Sequence, residues 1–189
     1  LEEKGHEIFA NADSVIVEVD MDKDIIKKVV ALAKQYNKKL YGVVSNMSIA
    51  VERRDFLKHF DCFICNQLEA GMLFMEDYAD KSPEELRDIL SKRVILGKIP
   101  AMIVTMGGNG AVYADVNGEK GICPPQRVRV KDTTGAGDAF CAGVASGLTY
   151  GKTLSEAVEI GSRLAASVIT SSENVCPRFL PEEFGITLD

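Results

Sequence analysis

Short β-branched runs alternate with stretches of helical period along this chain, and that alternation constrains the fold more than any other feature. Ser14 to Val19 is such a run, bounded by Asn11 and Asp13 before it and by Asp20 and Asp22 after it, which is the pattern of a strand between turns. Ile25, Ile26, Val29, Val30, Ala33 and Tyr36 then recur at helical spacing behind Asp22, a residue suited to an N-cap. Lys39 to Ser45 and Asp61 to Cys65 read as the next strands. Ser82-Pro83-Glu84-Glu85 opens a helix that carries Leu86, Ile89 and Leu90, with Ser at the cap, Pro at the first position and Glu three after the cap. Ala101 to Thr105 and Gly110 to Val116 are strands joined by the turn Gly107-Gly108-Asn109-Gly110, and Asn117-Gly118 is a hairpin turn into Glu119 to Cys123. Two helices follow: Ala139 to Tyr150, stopped by Gly151, and a stripe of Leu154, Ala157, Val158, Gly161, Leu164, Ala165 and Val168. Strands alternating with helices imply an α/β fold with a mainly parallel sheet covered on both faces. Ligand sites in such sheets lie beyond the carboxyl ends of the strands.

At 189 residues the chain suits a single domain, 1–189, with one buried core. It is 46% hydrophobic and 26% charged, ordinary values for a globular protein. A net charge of −6, with no basic cluster along the sequence, argues against a nucleic-acid partner. Any phosphate handled is therefore small and held by local devices. No apolar run approaches the ~18–20 residues of a spanning helix, so no membrane partner is expected. The five cysteines are scattered and odd in number, which fits free thiols in a reducing cytoplasm. The chain opens on Leu1 rather than Met, as a fragment, a processed product or a truncated start would.

The chemistry concentrates in Asp132-Thr133-Thr134-Gly135-Ala136-Gly137-Asp138. Gly135, Ala136 and Gly137 stand directly before an apolar helix, so their backbone N–H groups are expected to be unpaired and to point outward. Small side chains let an anion approach that backbone, and the helix dipole favours it by roughly 0.3–1 kcal/mol. Asp138, in the first turn, then lies where it could take a proton from a substrate hydroxyl. A lone Gly-x-Gly-Asp is also compatible with an ordinary helix entrance carrying an acidic first turn.

The full string resembles the signature of ribokinase-like (PfkB-type) carbohydrate kinases, in which an acidic residue and Thr precede Gly-Ala-Gly-Asp and a small, apolar helix follows; Ala139-Phe140-Cys141-Ala142-Gly143 continues that pattern. Two upstream strings stand in the order such kinases require. Asn66-Gln67-Leu68-Glu69 resembles their Asn-x-x-Glu motif, and Thr105-Met106-Gly107-Gly108-Asn109-Gly110 resembles their Thr-x-Gly-x-x-Gly turn. The resemblance implies a ribokinase-like three-layer α/β/α fold and an ATP-dependent phosphotransferase acting on a primary hydroxyl of a sugar or nucleoside. It implies that ATP–Mg²⁺ binds across Asn66, Glu69, Thr105, Gly107, Gly110 and the Gly135–Gly137 loop, with Glu69 reaching Mg²⁺ through water. Asp138 is the implied general base. Asp132 and Thr134 fall at the family's monovalent-cation (K⁺) site, and Ser162, Ala165 and Ala166 on the last helix fall where adenine rests. The last loop departs from the common Gly-Ala pair: it reads Ser171-Ser172-Glu173-Asn174-Val175-Cys176-Pro177, and its ending is similar to that of pseudouridine kinases. The resemblance spans the chain but only about the last two-thirds of a ~300-residue member. The N-terminal portion and the small β lid, through which members often form homodimers, are then absent. A truncated, inactive relative that binds nucleotide or a partner is the alternative.

Other residues invite less. Cys62 and Cys65 have redox-motif spacing but lie in a strand at an odd offset, so they are expected as buried structural thiols. His6 and His59 have no ligand-spaced neighbours and are assigned no role. Lys27-Lys28 and Lys38-Lys39 read as solvated faces.

Overall fold

A computed structural model of the chain describes residues 1–172, 175–176 and 179–187. Glu173, Asn174 and Pro177 of the last loop lie outside the described residues. The elements run α1 (Gly5–Asn11), β1 (Ser14–Glu18), α2 (Lys23–Gln35), β2 (Lys39–Val43), α3 (Met47–Ala50), a 3₁₀ segment (Val51–His59), β3 (Cys62–Asn66), α4 (Gln67–Phe74), α5 (Pro83–Gly97), β4 (Ala101–Thr105), β5 (Ala111–Asp115), β6 (Lys120–Cys123), α6 (Ala136–Thr149) and α7 (Leu154–Thr170).

The six strands form one sheet in sequential order, with β1 to β4 parallel. The register pairs Glu18 with Val43 and Asn66 with Thr105, so the carboxyl ends of neighbouring strands align. β5 returns against β4 through a 3₁₀ turn at Gly107–Asn109, with the Val116 N–H donating to the Pro100 carbonyl at 2.9 Å. The Asn117-Gly118 turn closes the last hairpin, the Asp115 N–H donating to the Glu119 carbonyl at 2.8 Å. The expected mainly parallel α/β sheet is therefore observed. Strand ends differ by small amounts: β2 stops at Val43 rather than Ser45, and β5 covers Ala111–Asp115 rather than Gly110–Val116.

The inner strands have four consecutive buried residues each in β3, β4 and β5, as expected of strands covered on both faces. Tyr41, Phe60, Phe63, Met102 and Ile103 are among the largest fully buried side chains. Cys62 and Cys65 are buried thiols, in keeping with a structural role. Among the described residues no helix is long and apolar enough to cross a membrane.

The chain divides into two compact units, Leu1–Met106 with Val112–Gly121, and Gly107–Ala111 with the residues from Ile122 onward. In the first, Asp22 caps α2 by accepting from the N–H groups of Asp24 and Ile25, and Ser82 and Glu85 form a reciprocal capping box on α5. In the second, α6 and α7 meet backbone to backbone. A Cβ added at Gly143 would sit 2.7 Å from Gly161 Cα, and one added at Gly161 would sit 2.7 Å from the Phe140 carbonyl. The small residues read from the sequence thus set the distance between these helices.

Candidate active site

In the first unit, three candidate residues share the carboxyl edge of the sheet. Asn66 ends β3 and is the register partner of Thr105, which ends β4 and directs its hydroxyl to the Cys65 carbonyl at 3.5 Å. Asn66 caps α4: its side chain accepts from the Glu69 N–H at 2.9 Å, and Glu69 accepts from the Asn66 N–H at 2.7 Å. The amide and carboxylate expected to share one face do so, and each spends one oxygen on the helix start. Burial raises the Glu69 pKa above the ordinary carboxylate range, against the lowering effect of its bonds from Asn66.

Sequence reasoning missed a further acid on this edge. Asp20 follows β1 and accepts from the Asn46 N–H at 2.8 Å through one carboxylate oxygen, whereas the other, Oδ1, is buried without a hydrogen-bond partner among the described residues. A buried acceptor left open is costly, roughly 1–3 kcal/mol, unless something else satisfies it. The signal for it was available: an acid directly after a strand, at the end where ligands bind.

In the second unit, Gly135 is the N-cap of α6 with φ 80°, a left-handed conformation that glycine adopts without strain. The helix therefore starts at Ala136, three residues earlier than the apolar pattern predicts, because the glycine cap and not the first large side chain sets its origin. One expectation is corrected here. The Ala136 N–H is not free but donates to the Thr133 carbonyl at 3.2 Å, since the left-handed cap folds the loop into a turn. The Gly137 and Asp138 N–H groups have no partner among the described residues, and a Cβ added at Gly137 would meet nothing within 4 Å. Upstream, Asp132 accepts from both the N–H and the hydroxyl of Thr134 at 2.9 Å, and these bonds lower its pKa. Gly110, with φ 87°, holds the adjoining turn tight: a Cβ there would lie 2.1 Å from the Cys123 carbonyl. Beside Gly107 there is open space. On α7, Ser162 is half-buried and bonds the Cys123 thiol, with Ala165 three residues further along the helix.

Asp138 differs from its counterparts on the other helices. The third residue of α4, α5 and α7 is Glu69, Glu85 and Glu156, and each carboxylate bonds back to its cap residue's N–H. The third residue of α6 is Asp138, one methylene shorter and behind a glycine cap, with no hydrogen bond or ion pair among the described residues. It is exposed. A carboxylate released from capping duty, in the same turn as two open N–H groups, can receive a proton beside a bound anion.

Within the second unit, the open N–H groups of Gly137 and Asp138 have the chemistry to accept an anion such as a phosphate; within the first, Glu69 keeps one carboxylate oxygen that a hydrated divalent cation could use. The model of the pfkB family carbohydrate kinase matches residues 2–177. The chain belongs to that family. Among the curated relatives of this pfkB chain, the guanosine-inosine kinase of Exiguobacterium acetylicum is 34% identical over 165 residues, covering 86% of the chain and 53% of the relative. The pseudouridine kinase of Escherichia coli strain K12 is 35% identical over 69 residues, covering 36% and 22%. The structure of Arabidopsis thaliana ribokinase complexed with ribose and ATP superposes with a TM-score of 0.77 at 22% identity, covering 92% of this chain and 56% of that one. The fold is thus the ribokinase-type α/β/α arrangement expected from the motifs. The chain spans about half the length of the curated relatives it matches, rather than the two-thirds expected.

Proposed function

We propose that this chain carries the phosphoryl-transfer machinery of an ATP-dependent kinase whose acceptor is the primary hydroxyl of a nucleoside or sugar. The observation that supports this most is Asp138, uncommitted in the first turn of α6 beside the open Gly137 and Asp138 N–H groups. Asp138 takes the acceptor's hydroxyl proton on a carboxylate oxygen, while those N–H groups hold negative charge on the transferring group. General bases contribute ~10²–10⁴ in rate, and each preorganised donor a comparable ~10²–10³. Gly107 and Gly110 keep the turn after β4 close and free of side chains for phosphate. Glu69, oriented by its cap with Asn66, holds a hydrated Mg²⁺, which when bound neutralises phosphate charge. Asp132 and Thr134 offer oxygens to a K⁺ ion, and Ser162 and Ala165 offer a small-residue surface to adenine.

The acceptor class we favour is a nucleoside. Similarity to the guanosine-inosine kinase over 86% of the chain supports a purine ribonucleoside ahead of pseudouridine, whose kinase matches over 36%. The test is a coupled ADP-release assay with guanosine, inosine, adenosine, pseudouridine and ribose, run beside Asp138→Asn. The expected result is nucleoside-dependent turnover that falls ~10²–10⁴-fold in the variant with nucleotide affinity retained. Undiminished turnover in Asp138→Asn would sink the base assignment. Nucleotide binding with no turnover on any acceptor would favour the inactive, nucleotide-binding alternative.

A further inference from the structure

The structure gathers into one cleft several cations that the sequence keeps apart. A cavity of about 560 Å³ in the first unit is lined by Lys34, Lys38, Lys39, Lys58, His59 and Asp61, over an aliphatic floor. Lys39 opens β2 and Asp61 stands just before β3, so the cleft lies at the amino-terminal ends of these strands, opposite to Asn66 and Thr105.

Four lysines face one acid here, and the acid is already committed. One oxygen of Asp61 pairs with Lys39 at 3.1 Å and the other accepts the Leu40 N–H at 2.9 Å. Lys38 donates at 3.4 Å to the Ala10 carbonyl, a neutral partner. Lys34 and Lys58 have no hydrogen bond or ion pair among the described residues. Both act on one ring: the His59 imidazole, exposed overall, is held below its ordinary pKa by partial desolvation first, then by Lys58 and Lys34. In a chain of net charge −6, ammonium groups from α2 and the 3₁₀ segment thus converge on a cleft whose one lining carboxylate, Asp61, is already paired with Lys39. Solvated lysines on a convex face can spread apart, whereas these line a concavity within the ~300–1,000 Å³ typical of small-ligand sites.

We propose that this cleft binds a small, multiply charged anion of the phosphorylated-metabolite class, through Lys34, Lys38 and Lys58 with His59 as a further donor. Ammonium groups suit this role as mobile point charges for phosphate oxygens. The site does not depend on the kinase reading, because none of its residues takes part in it.

The chain's two histidines give a direct readout. His59 shares the cleft with Lys34 from α2, Lys38 and Lys39 at the start of β2, Lys58 beside it and Asp61 before β3. His6 instead bonds the Tyr36 hydroxyl at 2.9 Å. Inorganic tripolyphosphate titrated into the 189-residue chain, followed by proton NMR of the imidazoles, should shift His59 saturably and raise its midpoint, with a smaller effect on His6. The Lys34→Met/Lys58→Met protein, with an unchanged His6 resonance as its folding check, should bind at least tenfold more weakly. Parallel, unsaturable shifts of both histidines would mean bulk screening and overturn the site. Affinity within twofold in the double variant, or monophosphate binding as tightly as tripolyphosphate, would overturn it as well.

Discussion

Gly137 separates what the α6 entrance needs for folding from what it needs for binding. Its φ is not positive and an added Cβ would touch nothing among the described residues, so a side chain there is tolerated by the fold. Gly137→Leu is expected to keep its melting temperature within ~4 °C, a change of at most about 1 kcal/mol, while nucleotide affinity falls at least tenfold as the side chain fills the approach to the open N–H groups. Equal affinity, by calorimetric titration, would remove the loop from the phosphate site. Glu69 supplies a second prediction at this scale. Its carboxyl pKa is raised in the folded state by burial, so its ionisation favours unfolding. That component of stability is present below the ordinary value of 4.5 and is lost as pH rises through the folded value. Glu69→Gln keeps an acceptor for the Asn66 N–H and does not ionise. Relative to wild type it should therefore gain stability between pH 4 and pH 7 in urea melts. A difference independent of pH would mean that the burial of Glu69 carries no net cost.

At the scale of elements, α6 and α7 make the sharpest case for glycine as a spacer. Gly→Ala in an open helix gains ~0.5–1 kcal/mol, but overpacking a tight contact costs ~1–3 kcal/mol. At Gly143 the new Cβ would lie 2.7 Å from backbone, so overpacking wins, and Gly143→Ala is expected to destabilise by ~1–2 kcal/mol in denaturant melts. A stabilised variant would show that the helices can separate at little cost. What was legible in the sequence follows the same physics. Elements whose ends are set by side-chain chemistry were read closely: Asp22 capping α2, Ser82 opening α5, the Asn117-Gly118 hairpin. Elements held by tertiary contacts were not. α1 has no side-chain cap bond, and α3 with its 3₁₀ continuation lacks a clean apolar period although Met47, Phe56 and Leu57 are buried. The start of α6 escaped because a backbone conformation at Gly135, not a periodic side chain, defines it. The candidate residues of the active site were legible because their spacing carries the motif. Asp20 was not, because its open oxygen is a property of packing.

Across the whole molecule, the lysine cleft shows how far charge counting along a chain can mislead. Lys34 and Lys58 are 24 positions apart in an acidic sequence, and only the parallel packing of β2 and β3 brings them to one ring. The thiols provide a global test. All five cysteines are thiols rather than disulfide halves, with Cys62, Cys65 and Cys123 buried and Cys141 and Cys176 partly exposed. Without reductant, an aromatic disulfide reagent should find five thiols after denaturation, and at most two reacting promptly in the native chain. Fewer than five would reveal a disulfide that the structure lacks. The backbone contact between α6 and α7 also bears on which second mutations can repair a first. A methyl added at Gly147 presses on Ala157, and Ala157→Gly can remove part of what it meets. A methyl added at Gly143 presses first on Gly161, where no side chain is left to delete, and on Leu164 Cδ1 at 2.9 Å. Selection for compensating changes should therefore recover local suppressors of the first lesion and none at the facing residue of the second, making the helix that carries Asp138 tolerant at one end and unforgiving one turn away.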